Sequence, residues 1–183
     1  KRARELSGDT REIKIHLKAP LKGDAAEQAN IVRALVGQKV DGIMVSCNEP
    51  NALKRAIDEA VEAGVPIMCF DSDAPASKRK FVYANNDIRA GQVLGEELIK
   101  HLGPDPAGEV AIQSGVPGAD NLTKRIEGAK QALAKYPKIQ VKQVLYCEDS
   151  VAKAVQDIAG YMNANPQTRG WILIGGWALF GKN

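Results

Sequence analysis

The apolar pattern of this chain changes period again and again, and that constrains its fold more than any other feature. Short continuous apolar runs occur at Val40–Val45, Ile67–Phe70, Val110–Ile112 and Trp171–Ile174. Between them lie amphipathic stretches of about 12–16 residues, the length of ordinary helices. Strands alternating with such helices imply βαβ units and a parallel sheet. Right-handed crossovers then put helices on both sheet faces. The fold class read from this is α/β, with two Rossmann-like lobes, each a mostly parallel sheet flanked by helices.

The pattern also places the elements. Ile13, Ile15 and Leu17 alternate with polar neighbours, which predicts a half-exposed strand. Asp24 caps a predicted helix to about Gly37, with Ile31, Leu35 and Val36 on one face. Val40–Val45 reads as a parallel strand buried on both faces. Pro50-Asn51 opens a helix through Ala63, and Gly64 stops it. Phe81-Val82-Tyr83 predicts a short crossing strand. Asp87 is the predicted cap of a helix to about Leu102. A helix over Asn121–Tyr136 ends at Pro137, and Ile139–Leu145 is a strand. Ser150 caps a last helix with Val151, Val155 and Ile158 on its apolar face. The pattern restarts after Tyr83-Ala84-Asn85-Asn86-Asp87, so the lobes divide as 1–84 and 85–183. Lys1–Gly8 reads as the tail of a helix, and the chain has no initiator Met.

Composition narrows the function. No apolar run is long enough for a membrane span. The net charge is only +3, and the short runs Lys1-Arg2-Ala3-Arg4 and Lys78-Arg79-Lys80 read as solvated surface rather than a nucleic-acid patch. Cys47, Cys69 and Cys147 are odd in number and form no C-x-x-C, so neither a metal site nor a disulfide framework is expected. Cys47 and Cys69 read as small buried hydrophobes. No phosphate loop, dinucleotide fingerprint or nucleophile elbow is present. No cofactor, metal or enzymatic activity is expected. His16 and His101 lack a Ser or Cys context and read as surface residues.

The strand runs end in small polar groups: Ser46-Cys47-Asn48, Asp71-Ser72-Asp73, Gln113-Ser114-Gly115 and Gly175-Gly176-Trp177. Open parallel sheets bind ligands outside the carboxyl ends of their strands. Asp71 and Asp73 resemble a carboxylate pair, but hydrogen bonding to a neutral ligand is simpler than metal binding. Asn121 and Arg125 are i, i+4 and share a helix face. An Arg fork beside an Asn amide suits adjacent sugar hydroxyls; on spacing alone, an exposed helical Arg fits equally. Trp177 supplies either an aromatic face for a pyranose ring or core filling.

Four stretches in register resemble the type I periplasmic sugar-binding proteins, the ribose- and galactose-binding components of bacterial ABC importers. They are Val40–Val45 with the loop Ser46–Pro50, Ala63–Ile67 leading to Phe70–Asp73, Tyr83–Gly91, and Asn121–Gly128. The same core occurs in LacI-type repressors. The resemblance implies that Asp71 is the ligand-binding acid and Arg125 the Arg that grips hydroxyls, with Asn121 one turn before it. It matches Asn86 to the crossing-segment Asp. Ser72 stands where ribose binders often carry Arg, and the loop acid after Ile174 is replaced by Gly175-Gly176-Trp177. It implies a periplasmic or extracytoplasmic monomer, with or without a lipid anchor, that takes a monosaccharide and meets a membrane ABC permease. It also implies that both lobes are incomplete here, the first strand of the N-terminal lobe lying before Lys1. The alternatives are the effector-binding core of a LacI-type regulator and, further off, a metal-dependent enzyme using Asp71 and Asp73.

Overall fold

The structure is a computed structural model that describes Glu5, Gly8, residues 13–20 and residues 23–181. Helix α1 (Ala25–Gly37) starts where Asp24 accepts hydrogen bonds from the Ala26 and Glu27 N–H groups at 2.8 and 3.0 Å. These are donors that the first helical turn leaves without partners. Strand β1 (Ile43–Val45) follows, then α2 (Pro50–Glu62), whose cap is the Glu49 carboxylate and whose first turn holds Pro50. Strands β2 (Ile67–Phe70) and β3 (Val82–Tyr83) complete a three-stranded parallel sheet in the order β1-β2-β3.

The second sheet is also parallel. After α3 (Asp87–Leu102) come β4 (Gly108–Ser114), α4 (Asp120–Leu133), β5 (Ile139–Tyr146), α5 (Val151–Ala164) and β6 (Gly170–Leu173). The order is β5-β4-β6, and a 3-10 turn over Trp177–Phe180 closes the described chain. The residues of central β4 from Val110 to Ser114 are fully buried. The α/β fold with parallel sheets flanked by helices is therefore present.

Each sheet has its own core. Leu53, Ala56, Ile57 and Ala60 recur at i, i+3, i+4 and i+7 on α2, and cluster with Ile43, Val45, Ile67 and Cys69. Complete burial of a Leu or Ile contributes about 1.5–3 kcal/mol, so these few positions fix how α2 sits on the sheet. In the second core Leu122, Ile126, Ala129 and Leu133 of α4 cluster with Val110, Ile112 and Ile172. Helices α3 and α4 cross at Gly91, Gly95 and Gly128, where one backbone lies against the other.

Four local expectations are corrected. Ile13–Leu17 forms no strand; Ile15 and Leu17 are open to solvent, because period-2 alternation makes a strand only where a neighbour pairs with it. Strand β1 is covered on one face only, since Met44 is 66% exposed between buried Ile43 and Val45. The cap of α3 is Asn86, whose Oδ1 accepts from the Arg89 N–H at 3.0 Å, and Asp87 is the buried first helical residue. On α5 the fully covered residue is Ala154, while Val155 is 39% exposed. The predicted helix tail at Lys1–Gly8 lies almost wholly outside the described residues. Among the described residues, no helix is long and apolar enough to cross a membrane.

Candidate functional site

A cavity of about 220 Å³ is lined from both sheets. Its walls are the segments that follow the strands: Ser46, Cys47 and Asn48 after β1, Asp71 and Ser72 after β2, Val116 and Ala119 after β4, Asp149 after β5, and Gly175 and Trp177 after β6. The first turns of α4 add Asn121, Leu122 and Arg125. This is the position where open parallel sheets bind ligands. A second, larger groove of about 890 Å³ runs along α5, but its lining comes only from β5, α5 and the residues flanking them. Of these two, the smaller cavity is the one on which polar groups from both sheets converge.

Local backbone geometry aims two acids at the cavity. At the end of β2 the Ser72 N–H donates to the Phe70 carbonyl at 2.6 Å, a three-residue turn with Asp71 at its apex and φ of 57°. Asp149 likewise has φ of 60°. Left-handed backbone is uncommon outside glycine, though Asp is among the residues that tolerate it, and it gathers at functional sites. Asp149 opens to the cavity, yet the protein crowding it pushes its carboxyl above the usual range, with the Val116 N–H opposing the shift. Gly115 makes room for this arrangement. A Cβ there would lie 2.2 Å from Asp149 Oδ1 and 2.5 Å from the Trp177 ring.

Asp71 is the meeting point of the two sides. Its Oδ2 accepts from Asn121 Nδ2 at 2.9 Å and, at a long 3.4 Å, from Ser46 Oγ. Arg125 Nη2 stands 3.9 Å from its Oδ1. Asn121 is itself 7% exposed, and its Oδ1 accepts from the Leu122 N–H at 2.8 Å. Arg125 Nε donates to Asp87 Oδ1 at 2.7 Å, and the Asp87 side chain is 3% exposed. One nitrogen of the guanidinium therefore holds a buried carboxylate while another faces the cavity. The Ser72 hydroxyl is buried and has no hydrogen-bond partner among the described residues.

Of the six residues singled out by sequence, Asp71, Ser72, Asn121, Arg125 and Trp177 line this cavity together. Asn86 does not; it is an exposed helix cap. Trp177 packs partly on the second core and partly on the cavity, so its two sequence readings are not exclusive. Sequence reasoning missed Asp149 and Gln28, and read Asp87 as a helix cap rather than as the buried partner of Arg125. Gln28 on α1 clamps the loop after β1, donating to the Ser46 carbonyl at 2.7 Å and accepting from the Asn48 N–H at 2.9 Å. A polar helix face gave no signal for it, whereas Glu148-Asp149-Ser150 stands at a strand end as Asp71 does.

Asp73 does not join Asp71. Its carboxylate turns inward and takes a two-pronged ion pair from Arg79, with Nη2 to Oδ2 at 2.7 Å. Burial raises its pKa, but Arg79 and the Ala74 N–H outweigh that and hold it below the usual carboxylate range. A depressed folded-state pKa contributes stability that is complete above the unfolded value, about 4, and is lost as pH falls through the folded one. Acid titration of melting temperature should therefore show a steeper fall below about pH 4 in the wild type than in Asp73→Asn. Equal acid limbs would show that the pair contributes nothing.

Comparisons with known proteins match the fold. The 33% identical solute-binding protein of Burkholderia graminis, solved in complex with D-arabinose, superposes with a TM-score of 0.82 over 87% of this chain and 55% of its own. A carbohydrate transporter solute-binding protein from Agrobacterium radiobacter, also with D-arabinose, is 27% identical, with a TM-score of 0.82 over 93% of this chain and 58% of its own. The ribose import binding protein of Bacillus subtilis is 27% identical over 107 residues, which is 58% of this chain and 34% of that protein. The xylose/arabinose-binding protein of Sulfolobus acidocaldarius is 23% identical over 162 residues, 82% of this chain and 39% of that protein. The chain thus spans between a third and three fifths of the length of these relatives. The periplasmic binding protein domain matches residues 1–181. Two parallel sheets, a polar cavity at their carboxyl ends and this end-to-end match have one conclusion: the chain belongs to the periplasmic binding protein family.

Proposed function

We propose that this chain is part of a non-enzymatic solute-binding protein that captures a monosaccharide and delivers it to a membrane ABC importer. The observation that carries the reading is Asp71, a half-exposed carboxylate at the meeting of both sheets, with two hydrogen bonds on Oδ2 and only the Arg125 guanidinium, at 3.9 Å, against Oδ1. A carboxylate offers about four lone-pair sites, so Asp71 has capacity left for ligand hydroxyls. Arg125 and Asn121 donate from the second lobe, and Ser46, Asn48, Ser72 and Asp149 complete a wall of donors and acceptors. A cavity of about 220 Å³ lies below the usual range for drug-sized ligands and suits a single sugar ring. Trp177 presents its ring to that space.

The four relatives named above carry pentoses in their names, while other similar structures hold D-allose, L-rhamnose or D-fucose, so D-arabinose, D-xylose and D-ribose are the first candidates and hexoses the next. The lobes divide at 84/85, and closure about the crossing near Asn85-Asn86 buries the ligand, a hinge motion of known kind. The protein works outside the cytoplasm, as a monomer, and binds no nucleic acid. The regulator alternative gains nothing from these relatives, which are described as binding and import proteins.

Thermal melting of the protein against pentoses, hexoses and polyols tests the reading. A ligand at a hundred times its Kd stabilises by about 2.7 kcal/mol, or about 5–10 °C for a domain of this size. A shift with one pentose is the expected outcome. A well-folded sample that shifts with no sugar overturns the monosaccharide assignment.

A further inference from the structure

Beneath the cavity lies a pair of groups that sugar binding does not use. Cys47 Sγ and Cys69 Sγ are 3.8 Å apart, and the residues are 1% and 0% exposed. Cys69 belongs to β2, paired in register with Val45 of β1. Cys47 follows β1 and is held by its N–H to the Ser72 carbonyl at 3.1 Å. Hydrophobic filling accounts for the burial of each thiol. It does not account for two of the chain's three cysteines meeting at one point from separate strands, one of them lining the cavity. Cys147 is also buried, but it follows β5 on the other sheet.

We propose that Cys47 and Cys69 form a dithiol site, reached through the cavity, that small disulfides oxidise to an internal cross-link between β2 and the loop after β1. Closing the pair requires the sulfurs to move from 3.8 Å to about 2.05 Å, within the reach of side-chain rotation and a small strand shift. The chemistry is thiol–disulfide exchange. A thiolate of the pair attacks one sulfur of the small disulfide. That S–S bond breaks, and the departing thiolate takes up a proton. The second cysteine then loses its proton and attacks the sulfur now joined to the reagent. The protein S–S bond forms and the second reagent thiol leaves. Two protein thiols are oxidised and one disulfide is reduced to two thiols.

The bond would tie together the two walls that carry Ser46, Asn48, Asp71 and Ser72, and would fix the first lobe's half of the cavity. A supply of disulfides in the cell rests on the extracytoplasmic reading above; the site itself does not.

The test uses oxidised glutathione on the full chain, first reduced and then freed of reductant, followed by alkylation under denaturing conditions. Alkylatable thiols should fall from three to one. The intact mass should drop by two hydrogens, and peptide mapping should join Cys47 to Cys69 and leave Cys147 alkylated. The oxidised protein should melt higher, because the bond closes a loop across a separation of 22 residues. In Cys69→Ser, glutathione should instead remain on Cys47. Three alkylatable thiols after prolonged exposure, or glutathione retained at Cys147 alone, would overturn the proposal. None of these readouts involves a sugar, so this site and the sugar reading fail separately.

Discussion

Asp71→Ala should weaken binding of the sugar that shifts the melt by about 2–3 kcal/mol, roughly 30- to 150-fold. The melting temperature of the unliganded variant should fall modestly, because Ala is strained at the left-handed backbone of position 71 and the Asn121 amide loses its partner. Hydrogen bonds to a charged acceptor contribute about 1.5–3 kcal/mol, and the Oδ1 of this carboxylate faces the Arg125 guanidinium only at 3.9 Å, beyond hydrogen-bond distance, so it can still accept from hydroxyls. Its removal frees the Asn121 amide, which Oδ1 still anchors to the Leu122 N–H. The Asp71 side chain is 49% exposed, so no cavity opens in the core. Asp71→Asn keeps one acceptor oxygen and should fall between the two. Arg125→Ala should behave differently, because it strips the buried Asp87 of its cation and should lower stability as well as affinity. Titration calorimetry on all four proteins separates these effects. Asp71→Ala binding within twofold of wild type would remove Asp71 from the site.

Legibility in the sequence followed the physics of each feature. Elements with a clear local start or stop signal were readable: α2 from Pro50-Asn51 and the stop at Gly64, and β2 from Ile67–Phe70. Asp71, Ser72, Asn121, Arg125 and Trp177 were legible because strand ends and helix starts in a parallel sheet converge on one edge. What failed depended on partners distant in sequence. Ile13–Leu17 has the alternation of a strand but is not a strand in the structure. Met44 reads as core until the sheet face above it is found open. Asn86 and Asp87 exchanged roles because either can cap a helix, and only the Arg125 guanidinium, 38 residues away, selects Asp87 for burial. The inward turn of Asp73 likewise depends on Arg79. The Cys47–Cys69 meeting depends on the β1–β2 register, which no local pattern encodes.

Gly128→Ala should be among the most damaging single-methyl changes outside the cavity, at about 3 kcal/mol, or about 6–12 °C in melting temperature. An added Cβ would stand 2.0 Å from the Ile88 carbonyl oxygen and 2.9 Å from the Gln92 nitrogen, both backbone atoms of α3. No rotamer change relieves that contact; the two helices must separate. Gly91 meets the same limit from the other side, its Cβ 1.9 Å from the Arg125 carbonyl oxygen. The crossing thus sets the depth at which α4 lies on α3, and with it the position of Arg125 and Asn121 at the cavity. Helix propensity pulls the opposite way, since Ala is favoured over Gly by about 1 kcal/mol in a helix interior. Gly160→Ala measures that opposing term alone: Gly160 lies exposed in α5 with nothing within 4 Å of its Cβ position. It should raise the melting temperature slightly while Gly128→Ala lowers it sharply. Melts that move together, or a Gly128→Ala protein as stable as wild type, would show that the α3–α4 crossing yields under load and does not hold the Arg125 side of the cavity in place.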